Sequence, residues 1–209
     1  MKLLRVDSSA RRNSVSRQIT QRFVETWQQE HPQGEVMERD LTTTALPHIT
    51  DEWVHAVHSN PASLTTEQKL LLQISDALVD ELVQADTIVI GAPMYNFAIP
   101  APLKAWIDQI VRVGKTVLFG DGGPKGLLKS KKVYVVTSRG GAFRPGTATA
   151  SFDYQEPYLR HILAFIGLTD VTFIHVENQK AGAQAEIAKA AAIAQIRQLA
   201  AGEAVSSGR

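Results

Sequence analysis

Thr87-Ile88-Val89-Ile90-Gly91-Ala92-Pro93-Met94-Tyr95-Asn96-Phe97 is the stretch that decides the fold. It is apolar on both faces through Ala92 and stops at Pro93, the pattern of a strand buried between helix layers in a parallel sheet. The four residues after it fall beyond the carboxyl end, where such sheets bind ligands. Met94, Tyr95, Asn96 and Phe97 supply a thioether, two aromatic faces and an amide, which can flank a flat ring system while the backbone reads its edge. The competing reading is that Met94 and Phe97 plug the top of the core.

Strand-like and helical runs alternate on either side of this segment. Residues 3–7 form a short apolar run, and Val15, Ile19, Phe23, Val24 and Trp27 recur at helical spacing over 14–29. Gly34 breaks that helix, and the polar run 35–41 reads as a strand at or near an edge. Residues 42–63 are loop-rich, with a short helical turn over 53–57. Thr65 or Thr66 caps a helix through Val83, supported by Glu67, with Leu70, Leu71, Ile74, Leu78 and Leu82 as its apolar stripe.

Downstream, Pro102 opens a helix over 103–113, and 119–124 reads as a turn or short hairpin. A fourth buried strand, 132–137, ends at Ser138-Arg139-Gly140-Gly141. A helix over 154–167, a fifth strand over 170–176 and an alanine-rich helix over 183–201 complete the pattern. The expected architecture is one α/β domain over 1–201: a doubly wound, five-stranded parallel sheet in the order 2-1-3-4-5 between two helix layers, followed by a flexible tail over 202–209.

Composition narrows the chemistry. The chain has 209 residues, 44% hydrophobic and 21% charged, with a formal charge of +1. That balance gives no strong field toward nucleic acid or an anionic membrane surface, and no apolar run approaches the ~20 residues that span a bilayer. A cytoplasmic protein is expected. With no cysteine, the chain cannot form disulfides, thiolate nucleophiles or thiolate-held metal centres, so any redox group must be borrowed. No metal site is expected either: His55 and His58 read as a solvated pair and Asp51-Glu52 as acids at a helix start.

In a sheet of this order the site lies where strand order reverses, which selects three loops: 8–17, 93–97 and 138–141. The first carries Ser8, Ser9, Ser14 and Ser16 among Arg11, Arg12 and Arg17 at the start of a helix, a setting for a phosphate, although Ser14 is equally a helix cap. Gly140-Gly141 permits close backbone approach or positive φ, or is a plain turn. There is no phosphate loop of the Gly-Lys-Ser/Thr kind and no Gly-x-Gly-x-x-Gly after the first strand, which argues against nucleotide triphosphatases and dinucleotide-binding Rossmann enzymes. No catalytic side chain is evident.

From first strand to last helix the chain resembles the FMN-dependent NADH azoreductases, flavodoxin-like homodimers also described as NADH:quinone oxidoreductases. The resemblance rests on Ala92-Pro93-Met94-Tyr95-Asn96-Phe97 and Ser138-Arg139-Gly140-Gly141. It implies FMN as cofactor, with Ser9, Ser14, Val15 and Ser16 toward one end and Met94, Tyr95, Asn96, Phe97, Ser138, Arg139, Gly140 and Gly141 around the ring. It also implies ping-pong, two-electron transfer from NADH or NADPH to quinones and azo aromatics, the azo bond being cleaved to two amines. Acceptors would stack at a dimer interface, with Phe119, Phe143, Phe152 and Tyr154 as candidate walls. The first loop departs from the pattern in being shorter and more basic than in some relatives. The rival readings are an NAD(P)H:FMN reductase and a flavodoxin-type electron carrier; carriers are typically strongly acidic, and this chain is not.

Overall fold

The computed structural model describes residues 1–200 in full and the backbone of 201–207. From the amino end the elements are β1 (Lys2–Asp7), α1 (Val15–Glu30), β2 (Glu35–Asp40), α2 (Asp51–His58), α3 (Thr66–Gln84), β3 (Thr87–Pro93), α4 (Ala101–Ile110), β4 (Val117–Gly120), β5 (Gly123–Gly126), β6 (Lys132–Ser138), α5 (Glu156–Phe165), β7 (Asp170–Val176) and α6 (Ala183–Ser207). The helical backbone of α6 continues past the expected end at 201. The tail expected over 202–209 lies outside the fully described residues.

Five strands form one parallel sheet in the order β2-β1-β3-β6-β7. Setting aside the β4–β5 hairpin, this is the expected 2-1-3-4-5 order. Val6 pairs with Ile90, Ile90 with Val135 and Val135 with Phe173, so the central register is apolar across four strands. All seven residues of β3 are buried, as its run of apolar residues required. Alternation divides that strand between two cores. Ile88, Ile90 and Ala92 pack in a cluster with Leu78, Leu82, Trp106, Ile110 and Leu163, whereas Val89 packs with Ile19, Phe23, Trp27 and Ile196. Each fully buried Leu or Ile contributes roughly 1.5–3 kcal/mol.

Local physics explains where the elements differ from the sequence pattern. Thr65 is the N-cap of α3, but the reciprocal partner in its capping box is Gln68 rather than Glu67. Leu70 and Ile74 stand exposed, while Leu72, Ser75, Val79 and Leu82 face inward. A run of three leucines, 70–72, cannot place every side chain on one face. Ser75 is stable in its buried position because its hydroxyl donates to the Gln109 carbonyl at 2.6 Å. The turn expected over 53–57 is an eight-residue helix, α2, capped by Thr50, whose hydroxyl accepts the Trp53 N–H.

α4 stops at Ile110 rather than at 113. Thr116 Oγ1 accepts the Arg112 N–H at 2.8 Å and donates to the Ile110 carbonyl at 2.7 Å, pulling the chain out of the helix. Likewise α5 begins at Glu156 rather than at 154, because Asp153 Oδ1 accepts the amides of Gln155 and Glu156. The expected hairpin is present as antiparallel β4–β5.

Candidate functional site

β1 ends in Asp7, and Ser8 fastens the following loop to β3 by donating from Oγ to the Gly91 carbonyl at 2.6 Å. Ser14 then caps α1, its Oγ accepting the Arg17 N–H at 3.3 Å and lying 3.2 Å from Ser16 Oγ. The capping reading is therefore correct, and the Ser14 hydroxyl can still donate its proton. The free amides at the start of α1 sit beside it, where an anion gains about 0.3–1 kcal/mol from the helix dipole.

The arginines of this loop have separate tasks. Arg17 belongs to the fold: its guanidinium forms a fork onto Asp40 at 2.7 and 2.8 Å and also donates to the Ser9 carbonyl. The bond from Arg17 pulls the Asp40 carboxyl down to about 2. Arg11 instead lines the cleft described below.

After β3 the chain turns back in two residues. Tyr95 and Ala98 exchange both backbone hydrogen bonds, at 3.0 and 3.1 Å, and Asn96 and Phe97 between them have φ of 49° and 68°. Two successive left-handed residues are what a tight type I′ turn needs. Asn tolerates this; Phe does so at a cost of about 1–2 kcal/mol. Met94 N–H donates to the Ser138 carbonyl at 2.9 Å, and the Tyr95 hydroxyl lies 3.2 Å from Ser9 Oγ, so the three loops are mutually braced.

One cleft of about 510 Å³ results, lined by Ser9, Arg11, Ser14, Val15, Pro93, Met94, Tyr95, Asn96, Ser138, Arg139, Gly140, Gln179 and Lys180. It lies at the β1/β3 switch point, as expected. No lining residue is acidic, which suits an anionic ligand. Ser16, Phe97 and Gly141 do not line it: Ser16 is buried against Ser14, Phe97 packs toward Phe143 and Phe152, and Gly141 is nearest the Phe143 ring.

The glycine pair has no positive φ. At Gly140 the direction a Cβ would take is filled by the Lys180 stem, 3.3–3.6 Å away.

Arg139 borders the cleft, but its side chain is 1% exposed and is held by groups that lie outside the lining. It lies 3.0 Å from Asp153, 3.7 Å from Glu177 and 3.8 Å from Glu156, and donates from Nε to Gln155 at 3.2 Å. Burial and the Arg139 charge hold nearby His175 below its ordinary range. The His175 Nδ1 lies 2.8 Å from Thr137 Oγ1 and its Nε2 3.0 Å from Glu156.

Sequence reasoning missed Gln155, Glu177, Gln179 and Lys180. The last three directly follow β7 at the same carboxyl edge, which was the available signal. The switch-point rule stopped one strand short of them. His55 is exposed, with its Nε2 3.4 Å from Asp51 Oδ2, and among the described residues no three His, Asp or Glu side chains gather as a metal requires.

The sheet order and the cleft at its reversal define the doubly wound, flavodoxin-type class. Residues 1–200 match the flavodoxin-like fold family, and the chain belongs to it. The FMN-dependent NADH:quinone oxidoreductase of Nostoc sp. is 50% identical over 185 residues, 88% of this chain and 89% of its own. The protein of the same name from Azospirillum brasilense is 47% identical over 197 residues, 93% and 94% of the two chains. The crystal structure of an azoreductase from Bacillus anthracis superimposes with a TM-score of 0.88 at 26% identity, covering 96% of this chain and 98% of that one.

Proposed function

We propose that this protein is an FMN-dependent NAD(P)H oxidoreductase that reduces quinones and azo aromatics two electrons at a time. The observation that carries this reading is the convergence, on one acid-free cleft, of a hydroxyl-rich helix start and the Met94-Tyr95-Asn96 turn. The relatives named above support it through the activity in their names.

The residues fit the cofactor. Ser9, Ser14, the first amides of α1 and Arg11 offer neutral and charged donors for a phosphate monoester. Met94, Tyr95, Asn96, Ser138 and Gly140 offer flat contact surface and backbone polar groups for a ring system, and about 510 Å³ is within the usual range for such sites. When bound, FMN supplies the redox chemistry, taking a hydride equivalent from a reduced nicotinamide and passing two electrons to an acceptor.

The chain's own residues bind, orient and exclude water. The Ser9 hydroxyl holds the Tyr95 phenol, and the paired bonds of the 95–98 turn fix Asn96 beside it. No carboxylate or imidazole lines the cleft, and its wall serves to position the ligands. One cleft serving donor and acceptor in turn gives ping-pong kinetics; cleaving an azo bond to two amines takes four electrons and hence two rounds.

The same proposal includes a homodimer in the cytoplasm. Leu118 and Phe119 on the hairpin are 46% and 63% exposed, apolar surface that a second copy would cover. Among the described residues no helix is long and apolar enough to cross a membrane.

The test is direct. Purified protein is expected to take up FMN, turn yellow, and oxidise NADH or NADPH when a quinone is added. A colourless protein without such turnover overturns the proposal, and flavin bound without nicotinamide oxidation assigns it to the electron carriers instead.

A further inference from the structure

Arg139 lies in a segment that the site's geometry singles out, yet every group its guanidinium meets lies outside the cleft lining. It is one of the largest fully buried side chains in the molecule. A buried charge is tolerated only when it is well paired, and removing one partner of such a pair is strongly destabilising. The partners Arg139 has gathered all bear on the 142–154 segment or its neighbours.

Arg139 stands just before that segment and grips its far end, with Nη1 3.0 Å from Asp153 and Nε donating to Gln155. Asp153 turns the chain into α5 by accepting two amides. Gln155 reaches back to the end of β3, donating from Nε2 to the Ala92 carbonyl at 3.0 Å. Glu177, 3.7 Å from the same guanidinium, accepts the Phe143 amide at 2.6 Å and the Arg144 amide at 3.1 Å. One cation thus organises both ends of the segment.

What the segment carries is aromatic. Phe143 and Phe152 lie 6.2 and 5.5 Å from Phe97, ring centre to ring centre, and the Tyr154 amide donates to the Phe97 carbonyl at 3.1 Å. Phe97 and Phe152 are each 48% exposed, and Phe97 directly follows Tyr95 and Asn96 of the cleft. Half-exposed rings beside a ligand cleft provide a stacking surface for a flat guest.

We propose that Arg139 is a positioning residue: through side-chain partners that lie outside the cleft lining it pins the 142–154 segment, and so sets the placement of the Phe97–Phe152 surface and the preference among flat aromatic acceptors. The acceptor part of this inference rests on the function proposed above. A lysine would supply the charge without the fork, and only a guanidinium reaches Asp153 and Gln155 together with fixed geometry.

The experiment combines amide hydrogen exchange with FMN titration and steady-state kinetics on Arg139→Lys and Asp153→Asn, using a naphthoquinone and a benzoquinone as acceptors. Leu78→Ala, in the core against the sheet, controls for general destabilisation. Exchange over 142–154 is expected to rise about tenfold or more while β1 and β3 stay as in wild type. KM for the naphthoquinone is expected to rise about tenfold in both variants, more than for the benzoquinone, and Asp153→Asn, at a residue outside the cleft lining, is expected to change kcat and FMN affinity less than about threefold. Asp153→Asn keeps the guanidinium buried but weakens its grip, so it carries the test if Arg139→Lys folds poorly. Exchange that rises uniformly as in Leu78→Ala, or KM values for the two quinones that move together, overturns the proposal while the FMN site stands. A wild-type protein that binds no FMN overturns the reading of the site and this inference with it.

Discussion

Asn96 and Phe97 hold the most demanding backbone in the site, two consecutive left-handed residues closing a two-residue turn. Asn96→Gly is expected to preserve that turn, whereas Asn96→Val should cost about 1–2 kcal/mol, because a β-branched residue resists positive φ. Thermal unfolding and FMN titration of the two variants check this, with weaker flavin binding expected only for the valine. At this scale the site was partly legible. The run 94–97 announced itself because aromatic and amide side chains follow a strand end, and Ser9 and Ser14 because hydroxyls precede a helix. The Arg139 side chain gave no such signal, since its direction is fixed by Asp153, Glu156 and Glu177, partners distant in sequence that local pattern cannot reveal.

Between elements, charge and space do the positioning. The Arg17–Asp40 fork ties α1 to the end of β2. Asp40 has a folded pKa of about 2 against an ordinary 3.8, so its contribution is fully present above pH ~4 and is lost as pH falls through about 2. Its side chain is 34% exposed, and solvent screening limits that contribution to about 1 kcal/mol. Asp40→Asn is expected to lower stability at pH 7 and to flatten the acid limb of a stability–pH curve measured by urea unfolding. Space decides the hairpin's exit: a Cβ at Gly126 would lie 2.1 Å from the Gly167 amide nitrogen, a backbone atom with little room to move. Gly126→Ala should therefore cost about 1–3 kcal/mol, read as a lower Tm. The helix pattern was legible in α1, where spacing was clean, and less so in α3, where Leu70, Leu71 and Leu72 offered three phases and only burial chose Leu72.

For the whole molecule, the parallel sheet and its order followed from a run of apolar residues at 87–92 and the alternation of strands with helices. The cleft's place followed from that order. Its outer wall, Gln179 and Lys180, depended on β7 ending at the same edge, a tertiary fact. If the cleft holds FMN in the native state alone, free FMN at about a hundred times its Kd should raise unfolding stability by about 2.7 kcal/mol, measurable as a shift in the denaturation midpoint.

Asp40's hold on Arg17 has one more consequence, in how the site responds to its ionic surroundings. Of the three arginines near the serine loop, Arg17 is neutralised within the fold, Arg12 stands in solvent and Arg11 lines the cleft. A phosphate arriving there exchanges few counterions, so its affinity should decline only gently as salt is raised, and the loop is spared the mutual repulsion of three free cations.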